Sequence, residues 1–276
     1  MSVGGGLRLV RIANLLIAAA GVLAGGWIAL GAFRLPTLLC FAALSGLALG
    51  AAGNAWNDVC DTAADRLNRA PEQRPLTAGG IRRGTADLIV FLGSFVGLSA
   101  AALVSGWQVI AALLALAVML AYSPRIKPLP AAGNVAVALI AGLPPFYGAL
   151  AVGAPGAGVV PWVLAAWLHL AREIVKDVED ETGDRAIGRR TLPIVVGRRP
   201  AQVIAAGVAL LFVPASLLLP RLAGYGGAYF LIALPAQMAV LIAATWLILG
   251  RVERVSMLLK ASMVVGLIAL VAGKVA

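Results

Sequence analysis

With 276 residues, of which 61% are hydrophobic and only 12% charged, and a mean hydropathy of +0.96, the chain lies far outside the range of water-soluble proteins. These values exclude a soluble globular enzyme and leave an all-α integral membrane protein. The net charge of +10 reflects where the basic residues sit along the chain, and it calls for no nucleic acid.

A hydrocarbon core about 30 Å thick takes roughly 20 apolar residues per helix, so uncharged runs count as spans. Residues 12–33 and 35–53 supply one each. The run 88–124 breaks at Ser105-Gly106-Trp107 and supplies two, and 129–171 breaks at the glycine-rich segment 153–158 and supplies two more. Residues 201–219, 222–250 and 255–273 complete a predicted bundle of nine transmembrane helices. The runs are continuously apolar, without the alternation of an outer-membrane strand. The first is too long for a signal peptide, although Arg8 and Arg11 precede it. Cys40 and Cys60 lie in different contexts and suggest no disulfide.

With nine spans, all of the 22 Lys and Arg except Arg34, Arg221 and Lys274 fall on one side. The positive-inside rule makes that side cytoplasmic in a multi-pass cell-membrane protein. Arg8, Arg11, Arg251, Arg254 and Lys260 read as topology charges, with Arg11 and Asn14 close enough to the start of the first span to approach a substrate. Some of this charge can also attract anionic lipid headgroups or a phosphorylated substrate.

The acidic residues carry more information. Ten of the 12 lie in 58–72 and 173–184, and ionisable residues at span ends are functional candidates. Asn54, Asp58, Asp61 and Asp65 follow offsets 0, 4, 7 and 11, and Glu173, Asp177, Asp180 and Asp184 repeat them. At about 100° per residue each set forms one narrow helical stripe. Each is followed by an arginine, Arg66 or Arg185, and then by a basic, proline-containing segment. The two regions, 54–79 and 173–193, look like an internal pseudo-repeat within a single domain spanning 1–276. Carboxylates at i,i+4 repel, so such stripes call for bound cations. Oxygen ligands without a His or Cys cluster favour a hard ion such as Mg²⁺, which completes its shell with substrate phosphates. Neighbouring Arg and Lys suit the remaining phosphate charge. A diphosphate carrying a long hydrocarbon tail fits two acidic motifs beside an apolar cavity.

Asn57-Asp58-Val59-Cys60-Asp61-Thr62-Ala63-Ala64-Asp65 resembles the NDxxDxxxD motif of the UbiA-type prenyltransferases, Asp180-Glu181-Thr182-Gly183-Asp184 their DxxxD motif, and Tyr122 to Lys127 their YxxxxK segment. The resemblance covers essentially the whole chain. It implies a Mg²⁺-dependent transferase in which a prenyl diphosphate ionises and an acceptor attacks the allylic cation. Asp61, Asp65, Asp180 and Asp184 would hold the metals, with Asp58 and Asp177 as further candidates on the same stripes. Asn57 would support the first site and Lys127 would bind diphosphate, with Tyr122 and Asn54 beside the substrate. Residues 172–193, with Gly53-Asn54 and Asn68-Arg69, look most like digeranylgeranylglyceryl phosphate synthases, which prenylate the free hydroxyl of geranylgeranylglyceryl phosphate. On that reading Arg185, Arg189, Arg190, Arg69 and Arg74 are the candidates for the acceptor's phosphate.

An aromatic or quinone-precursor acceptor is the alternative within the family, and a cation-coupled transporter is the alternative outside it. No protein partner is implied. His169 reads as a satisfied polar residue inside the bundle rather than a base.

Overall fold

The computed structural model describes residues 6, 9–68, 76 and 80–275. Eleven helices account for the membrane region: α1 (Ile12–Leu30), α2 (Thr37–Asn68), α3 (Arg83–Ala102), α4 (Gly106–Ala121), α5 (Ala132–Gly142), α6 (Pro144–Ala151), α7 (Pro155–Ala186), the short α8 (Leu192–Val196), α9 (Arg198–Leu222), α10 (Gly227–Ile248) and α11 (Val255–Ala272). Among the described residues, eight of them are long and apolar enough to cross a bilayer. The fifth span expected from the sequence is not one continuous helix. It is the pair α5 and α6, bent by 41° at Leu143. Pro144 and Pro145 start α6, and without N–H groups they cannot continue the hydrogen-bond ladder of α5.

Two helices are longer than their spans require. With 32 residues each, α2 and α7 reach about 48 Å at 1.5 Å per residue, against a hydrocarbon core of roughly 30 Å. Their surplus turns carry the two acidic stripes.

Small residues set the packing, as expected where lipid removes the hydrophobic drive between helices. Ala52, Ala55, Ala101, Ala112, Ala205, Ala209, Ala243 and Ala244 are fully buried. A Cβ on Gly25 would overlap the Pro145 carbonyl, and one on Gly148 would overlap the Val22 carbonyl, so α1 and α6 meet backbone to backbone. Polar ties reinforce this half: Ser45 donates to the Gly97 carbonyl at 2.8 Å and stands 2.7 Å from the Tyr147 hydroxyl. One core unites Val22, Leu39, Leu49, Leu116 and Tyr147, and a second unites Leu168, Val175, Phe212, Val240 and Leu259. Large side chains such as Phe91, Trp107, Leu222 and Leu231 point outward, where hydrocarbon is their solvent.

Candidate active site between two acidic helices

A cavity of about 710 Å³ opens between the two cores. One polar wall is α2, through Asn54, Asn57, Asp61 and Asp65; the other is α7, through Glu173, Asp177 and Asp180. The remaining walls are largely apolar and include Leu49, Val118, Met119, Ile140, Leu164 and Phe212. The helical phase expected from the sequence therefore places both stripes on one space.

Tyr122 and Lys127 reach that space from a π-helical turn, Tyr122–Ile126. Pro124 causes the wide turn, because it cannot donate to the Leu120 carbonyl. The Trp56 indole of α2 donates to that carbonyl at 2.8 Å instead, and the Lys127 amide closes the turn on the Tyr122 carbonyl at 2.7 Å. Lys127 Nζ thus sits 2.7 Å from Asp61 Oδ2. Ser123 Oγ donates to Asn57 Oδ1 at 3.0 Å, which orients the amide.

Arg189 ties the two stripes together. Helix α7 ends in a Schellman motif: Gly188 adopts φ +73°, its N–H bonds the Arg185 carbonyl at 3.1 Å, and the Arg189 N–H bonds the Asp184 carbonyl at 2.9 Å. That reversal aims the guanidinium back at Asp184, 3.0 Å away, and across the cleft at Asp61. Burial opposes the Arg189 charge, but the Asp61 and Asp184 carboxylates outweigh it and hold its pKa above the ordinary value.

Apart from Arg189, the predicted residues separate into four groups. Asn54, Asn57, Asp61, Asp65, Tyr122, Lys127, Asp177 and Asp180 line the cavity. Asp58 and Asp184 stand behind it: Asp58 accepts from Arg11 at 2.6 Å, and Asp184 holds Arg189 and leaves its buried Oδ2 without a partner. Arg185 is exposed and paired with Glu181 at 2.8 Å, and Arg190 is exposed outside the cavity, so neither is brought to it. Arg69 and Arg74 lie outside the described residues.

Charge compensation also differs from the expectation of metal alone. Arg11, Lys127 and Arg189 contact the stripes directly, and Asn134 Nδ2 donates to Asp177 Oδ2 at 2.7 Å. Arg11 and Asn14 line the cavity, in line with their place at the start of the first span. Two readings from sequence are corrected: Lys260 is a cavity residue and more than a topology charge, and His169 faces the cavity with Nδ1 unpartnered where a satisfied polar group was expected. Arg172 and Lys176 also line the cavity. In sequence they belong to the 172–193 segment that carries the resemblance, with no role of their own assigned.

Asp61 and Asp65 lie in the C-terminal turns of α2 and Asp180 and Asp184 in those of α7, whereas a transporter would hold such charges near the midplane. The sequence is 41% identical over 247 residues to a digeranylgeranylglyceryl phosphate synthase of Thermococcus gammatolerans, covering 88% of this chain and 87% of that one. A protein of the same name from Natronomonas pharaonis is 37% identical over 276 residues, covering 99% and 98%. A UbiA homologue from Archaeoglobus fulgidus, solved with GPP and Mg²⁺ bound, shares the fold with a TM-score of 0.68 at 20% identity, covering 96% of this chain and 99% of that one. The UbiA prenyltransferase family matches residues 18–263. This chain, all-α and multi-pass, with two facing acidic helices, belongs to that family and is a prenyltransferase.

Proposed function

We propose that the protein transfers a geranylgeranyl group from its diphosphate to the free hydroxyl of geranylgeranylglyceryl phosphate, with Mg²⁺, at the cytoplasmic end of the bundle. The observation that carries this reading is one cavity holding two opposed acidic walls and an apolar chamber, in a chain 35–41% identical to synthases of that name. The basic segments gathered at the cavity's end support the cytoplasmic orientation.

The donor set suits the metal. Among the described residues no three candidate ligands converge on one point, but Mg²⁺ needs only one or two carboxylates when substrate phosphates and water complete its shell. Asp61 and Asp65 would hold it on one wall and Asp177 and Asp180 on the other, with the spare Oδ2 of Asp184 behind them. Bound there, Mg²⁺ supplies positive charge to the departing diphosphate.

The protein's own groups do the rest. Lys127 and Arg189 offer an ammonium and a guanidinium beside Asp61, suited to diphosphate oxygens. The bond between the prenyl C1 and the diphosphate oxygen breaks, an ether bond forms from C1 to the acceptor oxygen, and the hydroxyl proton departs to diphosphate or solvent. Leu49, Val118, Met119, Leu164 and Phe212 keep water from the allylic cation, which would otherwise be hydrolysed.

The test incubates purified protein with labelled geranylgeranyl diphosphate and a panel of acceptors, with Mg²⁺ or with EDTA. Labelled digeranylgeranylglyceryl phosphate should form only with Mg²⁺. Prenylation of 4-hydroxybenzoate or another aromatic acceptor, with none of the lipid, would refute the assignment.

A further inference from the structure

Beyond the acidic walls, the cavity has a second charged region of opposite sign. Arg172 and Lys176 on α7, Lys260 on α11 and Arg11 at the start of α1 all line it. Among the described residues, the carboxylates bonded to these four cations are Asp58, held by Arg11, and Glu173, held by Arg172 and Lys176 at 3.0 Å each. Lys260 Nζ instead donates to the neutral amide of Asn14 at 2.6 Å. Arg172 keeps a buried Nε with no partner, and the unpartnered Nδ1 of His169 lies one turn below Glu173 on the same helix. Four positive charges against the two carboxylates bonded to them, with the buried Arg172 Nε–H left over, make an anion site beside the acidic walls.

Resting on the function proposed above, we infer that Arg172, Lys176 and Lys260, with Arg11 beside them, bind the phosphate of the lipid acceptor. Lys176 precedes Asp180 by one helical turn, about 5.4 Å. A phosphate seated on Lys176 leaves a hydroxyl on the same three-carbon glyceryl unit within a few bond lengths of the acidic walls. The acceptor's tail also has a track. Met263, Leu267 and Leu270 follow Lys260 at helical spacing and line the same cavity. Leu49, Val118 and Met119, on other helices of the same cavity, leave apolar lining for the donor's chain. Arg185 and Arg190, attractive from sequence because they adjoin the second motif, have no access to this chamber.

The test measures ligand binding to the full-length protein in detergent, comparing wild type with Lys260→Met, Arg172→Met and the charge-preserving Lys260→Arg. Three ligands are used: geranylgeranylglyceryl phosphate in EDTA, where turnover cannot intervene, its dephosphorylated counterpart geranylgeranylglycerol, and geranylgeranyl S-thiolodiphosphate with Mg²⁺. Each Met variant should weaken the phosphorylated acceptor by about tenfold or more, the scale of one charge-assisted contact. Binding of geranylgeranylglycerol and of the thiolodiphosphate should stay within about twofold, and Lys260→Arg should retain most of the affinity. In turnover, the KM for the acceptor should rise while kcat and the KM for the donor hold. Equal weakening of the thiolodiphosphate would assign the cluster to the donor, and equal weakening of geranylgeranylglycerol would reduce it to a structural role. Either result overturns this inference while leaving the proposed reaction standing. A wild-type protein that prenylates only aromatic acceptors overturns both.

Discussion

Replacing Asp61 by Asn separates the structural work of this carboxylate from its chemical work. The side chain is 3% exposed and accepts from both Lys127 and Arg189. The amide keeps the shape but loses the charge. Arg189 retains Asp184 at 3.0 Å, so Lys127 is the group left stranded. Breaking a buried pair from one side costs about 3–5 kcal/mol, and with Arg189 still partnered the lower figure, about 3 kcal/mol, applies. That corresponds to a fall in Tm of roughly 6–12 °C in detergent. Turnover should fall by about 100-fold or more, because under the proposed function Asp61 holds Mg²⁺. The double variant Asp61→Asn/Lys127→Met removes the stranded ammonium and should recover most of the Tm, while turnover stays low. Thermal unfolding and labelled-product formation are measured on the same preparations. Near-normal turnover in Asp61→Asn, or recovery of turnover along with stability in the double variant, would refute the catalytic role and leave a structural ion pair.

Arg185→Ala and Arg190→Ala should leave kcat and both KM values within about twofold, because these side chains are exposed outside the cavity; Arg189→Ala should lower turnover by about 100-fold, and a tenfold rise in any KM for Arg190→Ala would refute the division. In a background lacking Cys40 and Cys60, cysteines at Gly80 and Arg190 should react with impermeant reagent only from the cytoplasm, and one at Gly156 only from outside. Opposite labelling of Gly80 and Arg190 would dismantle the two-walled site. Gly25→Ala should abolish recovery of folded, monodisperse protein, since the new Cβ would overlap the Pro145 carbonyl. Gly207→Ala, where nothing lies within 4 Å, should be neutral or stabilise by up to about 1 kcal/mol; similar elution profiles and melting curves for the two would contradict the packing.

What was legible in the sequence was local or periodic. The offsets that align Asp61 with Asp65, and Asp180 with Asp184, need only helical geometry, and the structure continues both helices through them. The break in the fifth crossing was less visible, because Pro144-Pro145 sits inside an uncharged run that reads as continuous. Lys260 was beyond reach: it is separated from Asn14 by most of the chain, and only the closure of α11 against α1 brings them to 2.6 Å. Arg185, Arg189 and Arg190 are near-identical signals in sequence. The Schellman turn at Gly188 distinguishes them, by returning one guanidinium to the site and leaving the others in solvent.

The direct backbone contact of α1 with α6 bears on how substrate range can evolve. Between Gly25 and Pro145, and between Val22 and Gly148, no side chain intervenes, so that part of the enclosure has no removable layer. A mutation there moves a whole helix and costs folding before it alters selectivity. Elsewhere the chamber is lined by side chains such as Ala115, Val118, Met119, Leu164 and Phe212, whose volumes can change one at a time in a well-anchored frame. Adaptation to longer or shorter isoprenoid chains should therefore accumulate at those side chains, with the glycine seam serving as the fixed datum from which the chamber's width is set.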